Sequence, residues 1–561
     1  CASFKNKKDH HNIYKEFEEY SLKRSPISAT LKGDKRYNDL LPYPNEERFL
    51  AEFNDYLDLK KRTLVMSVEG LSKQELMNRK LFISMLNDYI TSYKLGSRFI
   101  QFGSRGGFHT FLTFLASYTP FNNLKDYEDY LSRLQKISGY FDANMAMAKL
   151  AIKKGYRYPR APFKGSDLII KAMISKSPEE SLFYKPFKNM KASQADQDRL
   201  KALALTTIEK QIIPSYKRFY KFWKKEIEPK MRPSVSVTDY PYGKKLYKQA
   251  VKFHTSLALS PREIHNIGLS EVKRIKKEMS LLMKEVNFRG SLKSFIKDLR
   301  TTPRFYPKTK KELLGKTRNY LKQMDKILPQ YFGRLPKSPY EIKEIPAYKA
   351  AKETTAYYMR PVPKTKRPGY YYVNTSQLNQ RPLYEVEALS YHEAVPGHHL
   401  QIALQQELKN IPTFRKNYSS TAFVEGWGLY SESLAKEMGF YQDPYSDFGR
   451  LTYEIWRACR LVVDTGLHAF DWPRSKAINY MLNNTALSRK NIEVEIDRYI
   501  TTPAQALAYK LGELKIKELK AKAKKVLGPK FDIRAFHDIV LEHGALPLNL
   551  LELQVNDWLK S

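Results

Sequence analysis

Three of the eleven histidines in this 561-residue chain stand beside a glutamate, in Ser390-Tyr391-His392-Glu393-Ala394-Val395-Pro396-Gly397-His398-His399-Leu400-Gln401. These residue types suit hydrolytic metal chemistry: neutral imidazoles bind zinc, and a neighbouring carboxylate takes a proton from water. A helix carrying H-E-x-x-H sets both imidazoles on one face, but here the position four after His392 is Pro396. In a regular helix His398 would lie about 240° around and about 9 Å along from His392. That is too far for one ion held about 2 Å from each nitrogen. His399 returns to the same face but lies two turns away. Shared ligation therefore requires a distortion, and Pro396-Gly397 can supply one, because proline withdraws an N–H and glycine tolerates the resulting geometry. A bulge of two extra residues would return His398 to the place of the second histidine. A helix that simply stops at Val395 would leave His398 and His399 as ordinary polar residues.

A second group lies in Thr421–Glu432 (TAFVEGWGLYSE), with Glu425 26 residues beyond His399. Zinc hydrolases of the two-His-one-Glu type draw their third ligand from a glutamate on the following helix. The segment VEGWGLYSE is similar to the N-E-G-F-A-x-Y-x-E segment of zinc aminopeptidases, whose first glutamate binds metal. That match implies Glu425 as ligand. Glu432, seven residues on and on the same face, is placed to orient an imidazole. Further along, Asp464 and His468 lie one helical turn apart, and Arg498, Gln505 and Tyr509 follow. Tetrahedral intermediates need donors at the developing oxyanion, and His, Tyr and Arg supply them. His468 and Tyr509 are the candidates for that role, with His399, Asp464 and Arg498 as supporting or substrate-binding groups.

The elements that must position these residues are mostly helices. Amphipathic stretches cover about residues 13–64, as two helices about the Pro-bearing loop SPISATLKGDKRYNDLLPYP, then 73–95, 126–154 and 194–227, the last interrupted at Pro214. Ser260-Pro261-Arg262-Glu263 carries a helix start, with Ser as cap, Pro first and Glu three residues after the cap. Between Tyr340 and Asn374 the texture turns short, aromatic and β-branched: EIPAYKA, TTAYYMRPVP and GYYYVNTS, with KTKRPG as a turn. The GYYYVN segment is expected to offer a strand edge to an extended peptide, with Tyr371 and Asn374 as substrate contacts. The expected fold is mainly α: a large multi-helix protein with a deep cleft and one small sheet beside the metal helix. Residues 1–12 read as a tether, 13–345 as an N-terminal helical region and 346–561 as the catalytic region.

Composition narrows the classes. The chain is 42% hydrophobic and 13% aromatic, a folded rather than a disordered composition. Lys plus Arg exceed Asp plus Glu by 97 to 59, a net charge of +38 spread along the chain. No nucleic-acid-binding module accompanies that charge, so it reads as a solvated basic surface. No apolar run approaches the length of about 20 residues needed to span a bilayer. Cys1 and Cys459 are too few for a disulfide framework. Cys1, followed by Ala-Ser and a Lys-rich stretch, suggests a bacterial lipoprotein acylated at that cysteine, and Cys459 reads as a small buried side chain.

Taken together, SPISATLKGDKRYNDL, YPYGKKLYKQAVKFHTSLALSPREIHNIGLSEV, GYYYVN, HEAVPGHHLQ, EGWGLYSE, RLVVDTGLHAFDW and EIDRYITTPAQALAYKLGEL resemble, nearly end to end, the bacterial domain-of-unknown-function family 885. The resemblance implies a zinc metallopeptidase of helical, deep-cleft type, with one zinc on His392, His398 and Glu425 and Glu393 as general base. It implies a peptide substrate and a lipid-anchored place in the bacterial cell envelope. Two positions depart from the family pattern: Ala504 stands where glycine is frequent, and Tyr242 interrupts a Pro-Gly-Gly. The rival expectation is an envelope-binding lipoprotein that keeps the fold without turnover.

Overall fold

The computed structural model describes residues 2–174, 177–346, 350, 354–362 and 367–561. Helices dominate it, as the periodicity predicts, with one three-stranded sheet among the described residues. The chain divides into two compact units, residues 1–249 with 494–502, and residues 250–493 with 503–561. The functional boundary drawn at 345/346 falls inside the second unit, which therefore contains the sheet and every candidate metal ligand. Cys1 lies outside the described residues. The segment through Asn12, expected as a tether, belongs to a helix, Ala2–Arg24. It continues the register that buries Ile13, Tyr14 and Phe17, and it buries His10, whose Nδ1 sits 3.0 Å from Met66 Sδ.

Aromatic packing organises the first unit. Helices Leu124–Gln135, Ile137–Lys153 and Ile213–Phe222 pack around Phe102, Phe108, Phe141, Tyr216, Phe219 and Trp223. Rings meet edge to face, as in Phe108–Phe141 with centroids 5.0 Å apart. The stretch read as one helix over 126–154 is two, broken at Lys136. Pro214, by contrast, does not end its helix. A π-helical turn, Ile208–Ile212, runs directly into Ile213–Phe222 and absorbs the missing N–H.

In the second unit, α1 (Pro261–Glu285) opens with the capping box the sequence shows: Ser260 Oγ accepts from Glu263 N at 3.2 Å, and Glu263 Oε2 accepts from Ser260 N at 2.8 Å. Helix α2 (Lys310–Tyr331) leads into the sheet of β1 (Tyr340–Glu344), β2 (Ala356–Met359) and β3 (Gly369–Val373). Strand β3 is central, parallel to β1 with Ile342 opposite Tyr371, and antiparallel to β2 with Tyr358 opposite Tyr371. The GYYYV strand is thus paired on both sides and offers no edge to a peptide; β1 and β2 are the edges. The first half of the KTKRPG turn, residues 364–366, lies outside the described residues.

Five further helices build the site: α3 (Leu383–Glu393), α4 (His398–Glu407), α5 (Thr421–Glu437), α6 (Pro444–Ala469) and α7 (Ala508–Leu527). Helix α6 is the buried spine, packed against α1, α3 and α7. Its polar residues are paired rather than solvated. The Lys510 ammonium, wholly buried on α7, contacts Glu271 at 2.8 Å, Glu454 at 2.7 Å and Glu513 at 2.6 Å, tying α1, α6 and α7 together. Arg450 adds bonds to Asp447 at 2.7 Å and Glu454 at 3.1 Å. Helices α5 and α7 meet at Gly426 and Gly512: a Cβ at 426 would lie 2.5 Å from Gly512 backbone, so only bare backbone permits this approach.

Candidate metal centre

Helix α3 ends at Glu393, and the chain breaks rather than bulges. Ala394 takes φ −103°, ψ −104°, the Val395–Pro396 peptide is cis, and Gly397 takes φ −78°, ψ −127° before α4 begins at His398. The break folds back onto the end of α3 so closely that a Cβ on Gly397 would lie 1.9 Å from the His392 carbonyl oxygen. Two bonds fix it: His399 N donates to Ala394 O at 2.9 Å, and Trp427 Nε1 donates to Pro396 O at 2.8 Å. The outcome is the one the regular helix forbids. The rings of His392 and His398 stand 4.6 Å apart, centroid to centroid, and nearly perpendicular.

Glu425, on α5, completes the group. Its Oε2 lies 3.7 Å from His392 Nε2 and 3.6 Å from His398 Nε2, and one ligand atom from each residue falls within 4.8 Å of the others. Ligand atoms about 2.05 Å from a tetrahedral zinc lie about 3.3 Å apart. The two carboxylate–imidazole distances exceed that by a few tenths of an ångström, and two imidazoles with one carboxylate is a donor set that zinc takes. Between Glu425 and Glu432, Gly428 presents bare backbone, and the His392 ring lies against it: an added Cβ would be 2.7 Å from both Cε1 and Nε2. Behind the ring, Glu432 Oε1 is 2.7 Å from His392 Nδ1, both groups being buried. A carboxylate there fixes the ring so that Nε2 faces the shared centre.

His399 is occupied elsewhere. Its Nδ1 is 2.8 Å from Tyr358 Oη and its Nε2 is 3.0 Å from Ser338 O, so it braces α4 against the sheet. The choice between His398 and His399 therefore falls on His398.

The charges at the centre are interdependent. Burial disfavours a charged His392, but Glu425 and Glu432 outweigh it and raise the imidazole to about 9. Burial, with the charge on His392, lowers His398 to about 4. Glu425 is buried too, yet the two histidines and Arg457 hold it down at about 2. Glu393 goes the other way: burial and the Glu425 carboxylate raise it to about 7 against the pull of His392 and Arg457. A carboxyl that titrates near neutrality beside a candidate metal site suits a proton carrier.

The other expected residues scatter. Tyr371 is buried in β3, and burial together with Glu393 raises its hydroxyl pKa. Asn374 is wholly buried as a loop brace: its amide donates to Ala350 O at 2.7 Å and Thr354 O at 3.0 Å. Asp464 accepts the Ala504 N–H through both oxygens, at 3.1 and 3.0 Å. His468 is wholly buried in α6. Arg498 belongs to the first unit and pairs with Glu495 at 2.8 Å. Tyr509 is part-exposed at the start of α7, with the guanidinium carbons of Arg460 and Arg457 at 4.5 and 5.9 Å from its ring centre. Arg457, whose charge acts on both Glu393 and Glu425, was missed by the sequence reading. Its one signal was position, a turn ahead of Arg460 on a helix otherwise rich in apolar residues.

A family model described as "Bacterial protein of unknown function (DUF885)" matches residues 26–555. The chain belongs to this family. No curated protein matches it. Among solved structures, the crystal structure of a "putative lipoprotein" from Colwellia psychrerythraea has a TM-score of 0.93 at 27% identity, covering 99% of each chain. A "putative lipoprotein of unknown function" from Shewanella oneidensis has a TM-score of 0.77 at 18% identity, covering 96% of this chain and 98% of that one, and shares the fold. The two departures from the DUF885 pattern coincide with left-handed backbone. Tyr242 has φ 59° and Ala504 has φ 66°, conformations that favour glycine.

Proposed function

We propose that this DUF885 protein is a zinc-dependent peptidase held at the bacterial cell envelope. The observation that carries the reading is the gathering of His392, His398 and Glu425 around one point, with Glu432 behind His392 and Glu393 alongside. His392 and His398 through Nε2, with Glu425 through a carboxylate oxygen, would hold the ion. Zinc bound there supplies Lewis acidity, which acidifies water and polarises a peptide carbonyl. Glu393 takes the proton from the attacking water and hands it to the departing amine, a task suited to a carboxyl near 7. Glu432 keeps the His392 ring in place and its proton on Nδ1. Tyr509 and His468 are proposed as donors to the oxyanion, Tyr509 being the part-exposed one of the pair. The envelope location is supported by the lipoprotein description of the Colwellia relative.

The test combines metal content with turnover. Zinc-loaded protein should hold one ion per chain by elemental analysis and cleave members of a mixed peptide library, read by mass spectrometry. His392→Ala should lose the ion. Glu393→Gln should keep it and lose cleavage. Protein that retains no zinc after loading overturns the reading, and zinc-bound protein that cleaves no peptide favours a binding role without turnover.

A further inference from the structure

Three helix ends of the first unit meet at one pole: the beginning of Ala2–Arg24, the end of Glu46–Val65 and the beginning of Lys73–Lys94. Asn6 Nδ2 donates to Ser67 Oγ at 3.2 Å and to the Glu69 carbonyl at 3.0 Å, and Lys7 Nζ pairs with Glu75 at 2.8 Å. Arg79 Nη2 donates to the Thr63 and Leu64 carbonyls, each at 3.1 Å. These bonds fix the turn 66–72 between the second and third helices. Apolar residues in and beside that turn nonetheless face outward: Val65 is 80% exposed, Leu64 50% and Val68 45%. Single exposed apolar side chains need no explanation, but a group of them rimmed by charge marks a contact surface.

The rim is basic. Residues 5–10 and 57–80 hold nine Lys and Arg against four Asp and Glu. Glu75 and Asp58 are already paired, with Lys7 and Arg62. Lys5, Lys8, Lys61 and Lys73 are exposed, and none forms an ion pair among the described residues. A second copy of this pole would set those lysines against their own kind, which like charges resist. A bilayer with anionic headgroups suits both halves of the surface. Ammonium groups lie among its phosphates, and short aliphatic side chains enter the boundary of the acyl region. Lysine stems can follow that boundary while their charge stays in water. Because the first helix already runs at residue 2 and Asn6 is fixed at this pole, a lipid on Cys1 would hold the same face to the membrane.

We propose that this pole lies on an anionic phospholipid bilayer, with Val65 and Val68 entering its surface and Lys5, Lys8, Lys61 and Lys73 meeting the headgroups. This rests on the envelope placement proposed above and gives it a face of the protein and a class of lipid. The peptidase reading plays no part in it.

The experiment uses the full chain with Cys1→Ser, which keeps any acyl chain out of the measurement. Vesicles of phosphatidylcholine, alone or with about one-third phosphatidylglycerol, report binding by co-sedimentation. The chain should prefer the anionic vesicles by about tenfold or more and leave them as salt rises. Each lysine near an anionic surface contributes about fivefold, so Lys8→Ser/Lys61→Ser/Lys73→Ser should bind about 100-fold more weakly. Val65→Ser/Val68→Ser should weaken binding by about tenfold and leave stability unchanged, since both side chains are exposed in the free protein. A fluorophore on Val65→Cys should shift its emission to the blue on anionic vesicles; Cys459 is buried and does not compete for the label. The control removes three exposed lysines of the second unit, Lys522→Ser/Lys525→Ser/Lys530→Ser, and should weaken binding by less than about threefold.

Equal losses in the control and in the lysine variant of the pole assign binding to the charge of the whole chain and overturn the inference. A chain that binds neither vesicle, or both alike, overturns it, as does a label at position 65 whose emission does not move. A chain that dimerises without vesicles, and ceases to in Val65→Ser/Val68→Ser, assigns the face to a second copy and overturns it too. The lipid on Cys1 is read separately, from the mass of chain extracted from membranes, so the two readings fail apart.

Discussion

Gly428→Ala is the most discriminating single change at the centre, because two pictures of the site predict opposite signs. An alanine Cβ would lie 2.7 Å from Cε1 and Nε2 of His392 and 3.0 Å from Nδ1, whereas comfortable carbon contacts begin at about 3.5 Å. The ring would have to retreat by roughly 1 Å, or α5 would have to move, several times the tolerance of about 0.2 Å for a metal–ligand distance. Retreat is opposed by Glu432, which grips Nδ1 at 2.7 Å. We expect zinc affinity to fall by about 10- to 100-fold, the scale seen when a ligand's support is lost. The metal-free protein should lose about 1–3 kcal/mol from overpacking. On a helix face with nothing against it, the same substitution would stabilise by up to about 1 kcal/mol, since alanine is the better helix former. Competition for zinc against a chromogenic chelator, and urea melts in EDTA, read the two quantities. A variant that binds zinc as the parent does, or unfolds at higher urea than the parent, would refute the packing argument and the ring placement behind it.

Five other outcomes are expected. Glu432→Gln should lower zinc affinity by about tenfold, because the amide keeps an acceptor for His392 Nδ1 but loses the charge that makes the ring a stronger donor; the same chelator competition checks it. Lys510→Met should cost about 3–5 kcal/mol by urea unfolding, since Glu271, Glu454 and Glu513 would be left buried without their cation. Tyr242→Gly should stabilise by roughly 0.5–1 kcal/mol, relieving a left-handed backbone at an exposed position; in Ala504→Gly the relief is offset by loss of a wholly buried methyl, so the change should lie near zero. His109 and His537 are lowered by burial to about 4 and about 3. The unfolded chain binds protons there first, so stability should be intact above about pH 6.5 and fall progressively toward pH 4, which thermal melts at pH 7.5, 6 and 5 would follow.

How much of this was legible in advance differs from residue to residue. The mainly α fold, the capping box at Ser260 and the placement of the sheet before the histidines follow from periodicity and turn chemistry, which act over a few residues. The need for distortion between His392 and His398 was also legible, because it is arithmetic on a helix. Its form was not. Whether proline and glycine produce a bulge or a break depends on what receives the freed groups, and here Trp427, more than a whole helix away in sequence, takes the Pro396 carbonyl. GYYYV was misjudged as an edge for a similar reason. Alternation marks a strand, but its rank in the sheet depends on β1, which pairs with it across 29 positions of sequence in register, Tyr340 with Gly369.

Helix α6 shows where local reading stops. A helix rich in Arg, Asp and Glu among apolar residues is expected to turn its charges to water, yet Asp447, Arg450, Glu454, Arg457, Arg460 and Asp464 are all at least nine-tenths buried. Arg450 meets Asp447 and Glu454 within the helix, and the rest of the charge is settled from outside it. Lys510 from α7 and Arg274 from α1 meet Glu454, and the Ala504 backbone meets Asp464. Arg457 lies against the Tyr453 and Trp456 rings, and its charge acts on Glu385 and Glu393 of α3 and on Glu425 of α5, so it too is matched by carboxylates that other helices supply.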